Sequence, residues 1–128
     1  MMLYLDTSAL VKLYVDEPLS QEVSAAVDEA EAVATSLLAY AEARAAFAQA
    51  RRAARFSPHA YRHIVEAFEE DWPRYITVVV TDRIVKNAGN LAASRALRGY
   101  DALHLASALS LREQIGRASC RERVSPRV

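Results

Sequence analysis

Three short apolar segments, separated from one another by helical segments, restrict the fold of this chain more than any other feature. Residues 3–5, 32–35 and 76–80 are predicted to be strands, and the last of these is β-branched throughout. Helices are predicted at residues 9–15, 21–29, 37–55, 58–72, 83–97 and 102–113. Strands that alternate with helices predict a parallel sheet with helices on both faces, which is an α/β fold.

Residues at the ends of the helical segments support these boundaries. Ser57 followed by Pro58 is typical of a helix start, since proline fits the first helical position. Ser36 is expected to open the long alanine-rich helix. Gly99 is expected to end the helix before it, and Asp101 to start the next one.

Composition predicts one globular domain. The chain has 128 residues, of which 52% are hydrophobic and 25% charged, enough for one packed core. No apolar run approaches the roughly 18–20 residues that span a bilayer, and no signal peptide is recognisable, so we expect a cytoplasmic protein without a membrane partner. The single cysteine, Cys120, excludes a disulfide framework.

Three acidic residues stand where strands end or helices begin. Asp6 directly follows the first strand, Glu42 is the first acid of the alanine-rich helix, and Asp101 stands at a helix start. Each alone has an ordinary interpretation, as a helix cap or a surface acid. Ligands bind at the carboxyl ends of parallel strands, however, and hard cations such as Mg²⁺ need oxygen ligands. Together the three acids favour a divalent-metal site.

Other polar residues are weaker candidates. His59 and His63 are four residues apart, a spacing found in zinc sites, but without a third ligand a solvated helix face is the simpler interpretation. His104 is three residues from Asp101 and is either near the site or packed in the core.

Arginines of the alanine-rich helix are candidates for contacts with nucleic acid. The formal net charge is zero, so any RNA contact must rest on local arginines. Arg44, Arg51 and Arg52 form either a phosphate-binding strip or the exposed face of that helix.

Three segments of the sequence resemble those of one family. LYLDTSALVKLYVDEP, ATSLLAYAEARAAFAQA and LRGYDALHLASAL occur in family order and with family-like spacing. They resemble PIN-domain proteins, especially VapC toxins of type II toxin–antitoxin systems, over residues 1–113. The resemblance implies a compact PIN-like α/β fold and endoribonuclease activity dependent on Mg²⁺ or Mn²⁺. It also implies an RNA substrate, a VapB-type antitoxin as partner and frequent homodimers.

The resemblance assigns roles to individual residues. Asp6, Glu42 and Asp101 match the family's catalytic acids, and Asp6 and Asp101 match those usually assigned to the metal. Thr7 or Ser8 matches a small hydroxyl that supports the first aspartate and a metal-bound water.

The C-terminal residues depart from the family pattern. Family members continue after the Asp101 helix into another strand, a fourth acid and a closing element, whereas this chain continues as QIGRASCRERVSPRV. Formal charge changes from −3 over residues 1–114 to +3 over residues 115–128. IGRASCRERV resembles the translation of a sequencing adapter. We therefore expect a PIN domain at 1–114 that is truncated at its C-terminus, a non-native tail at 115–128, and weak or no activity.

Two other functions remain open at this point. One is a catalytically inactive PIN-fold module that binds antitoxin or RNA without cleavage. The other is a receiver-like signalling domain, but that class needs an aspartate after the middle strand, where this chain has Thr35 and Ser36.

A partner protein would need apolar anchors on the surface. Four residues are candidates, although each could instead fill the core: Tyr14, Leu37, Leu38 and Phe47.

Overall fold

The structure is a computed structural model that describes the backbone of residues 1–121 and the side chains of residues 1–116. The strands are β1 (Met2–Tyr4), β2 (Ala32–Ser36) and β3 (Ile76–Val78). The helices are α1 (Thr7–Val11), α2 (Ser20–Glu29), α3 (Ala39–Arg52), α4 (Pro58–Asp71), α5 (Asp82–Arg95) and α6 (Gly99–Arg121). A single 3₁₀ turn, Trp72–Arg74, follows α4. The predicted α/β class and the order of elements are confirmed.

Among the residues that the structure describes, the sheet has three strands in the order β1-β2-β3. β1 and β2 pair in parallel, with Leu3 opposite Val33. Two further bonds extend this pairing past the end of β1: Leu5 N donates to Ala34 O at 2.8 Å, and the buried Thr35 hydroxyl donates to Leu5 O at 2.7 Å. The carboxyl ends of β1 and β2 therefore lie at one edge of the sheet, where both chain segments turn towards helices.

Contacts divide the chain into two compact units, Met1–Thr77 and Val78–Val128. In the first unit, α3 packs against α1 and α4. Ala39 and Ala43 of α3 are fully buried, so alanine here provides a thin surface on which α1 can lie closely. Phe68 of α4 is also fully buried, with its ring centroid 5.3 Å from those of Tyr14 and Phe47.

In the second unit, α5 packs against α6. The core of this unit contains Ile84 and Ala88 of α5 and Ala102 and Ala106 of α6. Thr81 caps α5, since its hydroxyl accepts from Ile84 N at 3.2 Å.

Several boundaries predicted from the sequence differ in the structure. α1 ends at Val11, and residues 12–15 continue as turns that bring Val15 into the core. α3 begins at Ala39 because Ser36 completes β2. β3 ends at Val78, and the next residue, Val79, is 60% exposed.

The connection between α5 and α6 also differs from the prediction. α5 ends where Ala96 adopts a left-handed conformation with φ of 53°, so Gly99 does not end it. Gly99 is instead the first residue of α6, and Asp101 lies within the first turn of that helix. The tail expected from residue 115 continues α6 as far as Arg121, and residues 122–128 lie outside the described residues. Among the described helices, none is long and apolar enough to cross a membrane.

Candidate metal and catalytic site

Asp6 stands at the carboxyl end of β1 and is the N-cap of α1. Its Oδ1 accepts hydrogen bonds from Ala9 N at 2.9 Å and from the Ser8 hydroxyl at 3.1 Å. The backbone of Asp6 is extended, as at most N-caps, so the carboxylate lies at the start of the helix rather than along its side. The residue is exposed. The cap interpretation is confirmed, and it leaves the carboxylate at the edge of the sheet where ligands bind in such folds.

Thr7 links the turn that carries Asp6 to the helix that carries Glu42. Its hydroxyl donates to Glu42 Oε1 at 2.6 Å, between residues that are 35 positions apart in the sequence. This length is typical of a charge-assisted bond from a hydroxyl to a carboxylate. Because Thr7 directly follows Asp6, the bond places Glu42 beside the same turn. The sequence indicated that Thr7 or Ser8 supports Asp6; in the structure Ser8 contacts Asp6, and Thr7 contacts Glu42.

Both acids lie at the N-terminal ends of helices. Asp6 caps α1, and Glu42 lies in the first turn of α3. The N-terminal end of a helix carries partial positive charge from its unpaired N–H groups, which stabilises a nearby carboxylate.

Asp101 belongs to the second unit. It is exposed and lies in the first turn of α6, one turn before the buried His104. Its convergence with Asp6 and Glu42 stays a prediction.

Within the part of the chain that the structure describes, no group of three or more His, Cys, Asp or Glu side chains is placed to hold a metal ion. Mg²⁺ commonly takes only one or two carboxylates and completes its shell with water and substrate phosphate.

The three candidate arginines have different surroundings. Arg44 Nη1 contacts Glu69 Oε1 at 3.1 Å and the Tyr40 hydroxyl at 2.8 Å, so this guanidinium is paired within the protein. Arg51 and Arg52 are exposed, and the guanidinium of Arg51 lies 5.3 Å from the centre of the Tyr61 ring. Of the three residues, Arg51 and Arg52 are the more exposed.

A cavity lies beside these two exposed arginines, at the C-terminal end of α3. It has a volume of about 540 Å³ and is lined by Arg51, Arg52, Phe56 and Pro58, together with Ala54 and Ser57. Cationic and aromatic side chains in one concavity suit the phosphates and bases of a single nucleic-acid strand.

The four candidate anchors for a partner separate into two pairs. Phe47 is fully buried, and Tyr14 packs against the same core, so both fill the interior of the first unit. Leu37 and Leu38 are 44% and 41% exposed. They lie between β2 and α3, close in sequence to Glu42.

A half-buried polar cluster borders the core of the first unit. The Tyr14 hydroxyl donates to Asp71 Oδ2 at 2.8 Å and also contacts the Tyr75 hydroxyl. Burial, followed by these two neighbours, raises the pKa of Tyr14 well above its usual range. Burial also raises the pKa of Tyr75. Both phenols therefore remain protonated at neutral pH and serve as hydrogen-bonding groups.

Comparisons with known proteins identify the family of the chain. The model of the PIN domain family matches residues 3–115. Two proteins from strains of Mycobacterium tuberculosis, named Ribonuclease VapC45 and Ribonuclease VapC49, are each 40% identical to the chain over 110 residues. The match covers 86% of this chain and 76% of each relative. The chain therefore belongs to the PIN-domain family, as a member of the VapC type.

Proposed function

We propose that this chain is a metal-dependent endoribonuclease that hydrolyses RNA phosphodiester bonds. The observation that carries the proposal is the hydrogen bond from Thr7 to Glu42, which unites the first two acidic segments at the carboxyl edge of the sheet. The relatives bear the name ribonuclease, and the family match extends across all three acidic segments.

The residues present fit a hard divalent cation. The side chains at this edge offer carboxylate and hydroxyl oxygens, from Asp6, Thr7, Ser8 and Glu42. Such a donor set suits Mg²⁺ or Mn²⁺ rather than a softer metal. We assign Asp6 and Asp101 as the metal ligands and Glu42 as the third catalytic acid. Bound there, the cation would activate water and offset charge on the scissile phosphate.

The protein's own side chains set the orientation of these groups. Both hydrogen bonds described for Asp6 use Oδ1, so the capping interaction fixes the orientation of the carboxylate and does not use Oδ2. Thr7 fixes Oε1 of Glu42, which restricts the rotation of a long side chain. A glutamate held in one orientation can align the attacking water without losing rotamer entropy during the reaction.

Substrate and partner contacts belong to separate surfaces of the first unit. Arg51 and Arg52 beside the cavity are assigned to RNA phosphates, since both residues are exposed. Leu37 and Leu38 are assigned to a protein partner, which we propose is a VapB-type antitoxin or a second copy of the chain.

Metal-dependent cleavage of a mixed pool of tRNA and rRNA tests the proposal. We expect weak cleavage with Mg²⁺ or Mn²⁺ and none with a chelator. Asp6→Asn and Asp101→Asn should each lower the rate by about 100-fold or more, because the amide keeps the shape but loses the charge that holds the cation. Asp82→Asn is the matched control: this exposed acid occupies the first turn of α5 and pairs with Lys86 at 3.3 Å.

Two results would contradict the proposal. Cleavage at the parent rate by both variants would remove the metal role from Asp6 and Asp101. No cleavage by a folded parent chain under any metal, together with retained RNA or antitoxin binding, would instead support the inactive PIN-fold module.

A further inference from the structure

Two histidines near the start of α4 form a pair that the proposed nuclease chemistry does not use. His59 Nε2 and His63 Nε2 are 3.0 Å apart, with ring centroids separated by 4.4 Å. Both side chains are exposed. Ring nitrogens are ligands for borderline transition metals, whereas the hydroxyls and carboxylates of the candidate active site suit hard cations.

The distance between the two ring nitrogens allows both to bind one ion. Two nitrogens 3.0 Å apart, each about 2.0–2.1 Å from one ion, subtend about 90–97° at that ion. Adjacent positions of a square-planar or octahedral ion have this angle. A tetrahedral ion needs about 109°, and therefore nitrogens about 3.3–3.4 Å apart. Small rotations of the exposed rings reach either distance, and the general order of affinities, in which Cu²⁺ binds nitrogen ligands most tightly, favours an ion of the Cu²⁺ or Ni²⁺ kind.

The helix holds the pair in place before any ion arrives. Pro58 occupies the first position of α4, and the Ser57 hydroxyl accepts from Ala60 N at 3.1 Å. These features fix the first turn, which carries His59, and the next turn carries His63. Residues four apart on a helix face the same side, so binding requires no change of backbone. The exposed Arg62 and Glu66 flank the pair on the same helix with opposite charges, so they largely offset each other.

The pair is separate from the candidate active site. α3 and α4 pack together and are joined by a short connection, so the start of α4 follows the end of α3. Glu42 lies in the first turn of α3, at the other end of a helix of 14 residues. With a rise of about 1.5 Å per residue, Glu42 and the end of α3 are about 15 Å apart.

We infer that His59 and His63 form a surface site for a divalent transition-metal ion of the Ni²⁺ or Cu²⁺ kind, with water in the remaining positions. An ion held there links two successive turns of α4 and stabilises the N-terminal part of that helix. The inference is independent of the nuclease proposal, because it involves other residues and another class of metal.

Titration calorimetry with Ni²⁺ tests the site. Every chain carries Cys120→Ser, so that the thiol cannot contribute, and excess Mg²⁺ occupies oxygen sites. We expect the parent chain to bind one equivalent, and His59→Gln or His63→Gln to bind at least about tenfold more weakly, because one ligand cannot chelate. Glutamine is a good helix former, so both variants should fold.

A spacing control separates chelation from the mere presence of two histidines. The double variant His63→Gln with Glu66→His keeps two histidines but places them seven residues apart, too far to share an ion. This double variant should bind Ni²⁺ as weakly as the single variants. Ni²⁺ should raise the melting temperature of the parent chain but not that of the two single variants or the double variant. RNA cleavage with Mg²⁺ should be unchanged. Binding of Ni²⁺ at parental affinity by both single variants, or by the spacing control, would overturn the inference.

Discussion

The hydrogen bond between Thr7 and Glu42 predicts the effect of replacing Thr7 by valine. Valine has nearly the same shape, so Thr7→Val removes the donor without leaving a cavity. The bond that disappears is 2.6 Å long, partly buried and accepted by a carboxylate. Hydrogen bonds to charged groups contribute about 1.5–3 kcal/mol, and we expect a destabilisation near the lower limit because water can reach a partly buried carboxylate. That corresponds to a fall in melting temperature of roughly 4–8 °C.

The same substitution should reduce activity through the orientation of Glu42. If the whole of that bond energy acts in the transition state, kcat falls by about tenfold or more, with a smaller effect on KM. Thermal unfolding followed by circular dichroism gives the stability change, and initial rates of RNA cleavage with saturating Mg²⁺ give the activity.

Two control variants make this prediction specific. Thr7→Ser keeps the hydroxyl and should retain most of the stability and most of the cleavage rate. Ser8→Ala removes only a 3.1 Å bond to the exposed Asp6 and should cost less stability than Thr7→Val. If Thr7→Val melts at the parent temperature and cleaves RNA at the parent rate, or if Thr7→Ser is equally impaired, the hydrogen bond does not position Glu42.

Four further predictions concern stability, pH and RNA binding. Phe68→Ala should cost about 3–5 kcal/mol in chemical denaturation, because this fully buried ring packs against the four aromatic rings of Tyr14, Tyr40, Phe47 and Trp72. Ala96→Gly should stabilise the fold by about 1 kcal/mol in the same assay, since Ala96 has a φ of 53° and glycine adopts that conformation without steric cost. The raised pKa of Tyr14 means that the folded state resists ionisation, so stability is present below pH of about 10 and is lost as pH rises further. Tyr14→Phe should therefore flatten the decline in melting temperature in alkaline buffer, and an unchanged slope would contradict it. Replacing Arg51 and Arg52 by glutamine should reduce the salt dependence of RNA affinity, measured by fluorescence anisotropy, by about 0.7 in log–log slope for each phosphate that is no longer neutralised.

Local sequence patterns were sufficient to predict much of the fold. Strand positions followed from apolar and β-branched runs, and their separation by helices predicted the parallel pairing that β1 and β2 adopt. Asp6 was recognisable as a cap because capping depends on residues within one turn, and its position after a strand marked the edge where ligands bind. Recognition of three acidic segments in family order identified the PIN domain, which the family match confirms. These features depend on neighbours in the sequence or on a pattern along it.

The tertiary structure decided which side chains meet. The bond from Thr7 to Glu42 spans 35 positions, and the pairing of Arg44 with Glu69 spans 25, so no local pattern could indicate either contact. Packing likewise placed Phe47 in the core while leaving Leu38 on the surface. Local preferences determine where helices begin and end, whereas contacts between helices depend on their packing angle and rotation, which the whole core sets by burying its apolar faces together. The sequence therefore determined the family and the acids, and the packing of α1 against α3 decided how Glu42 is held.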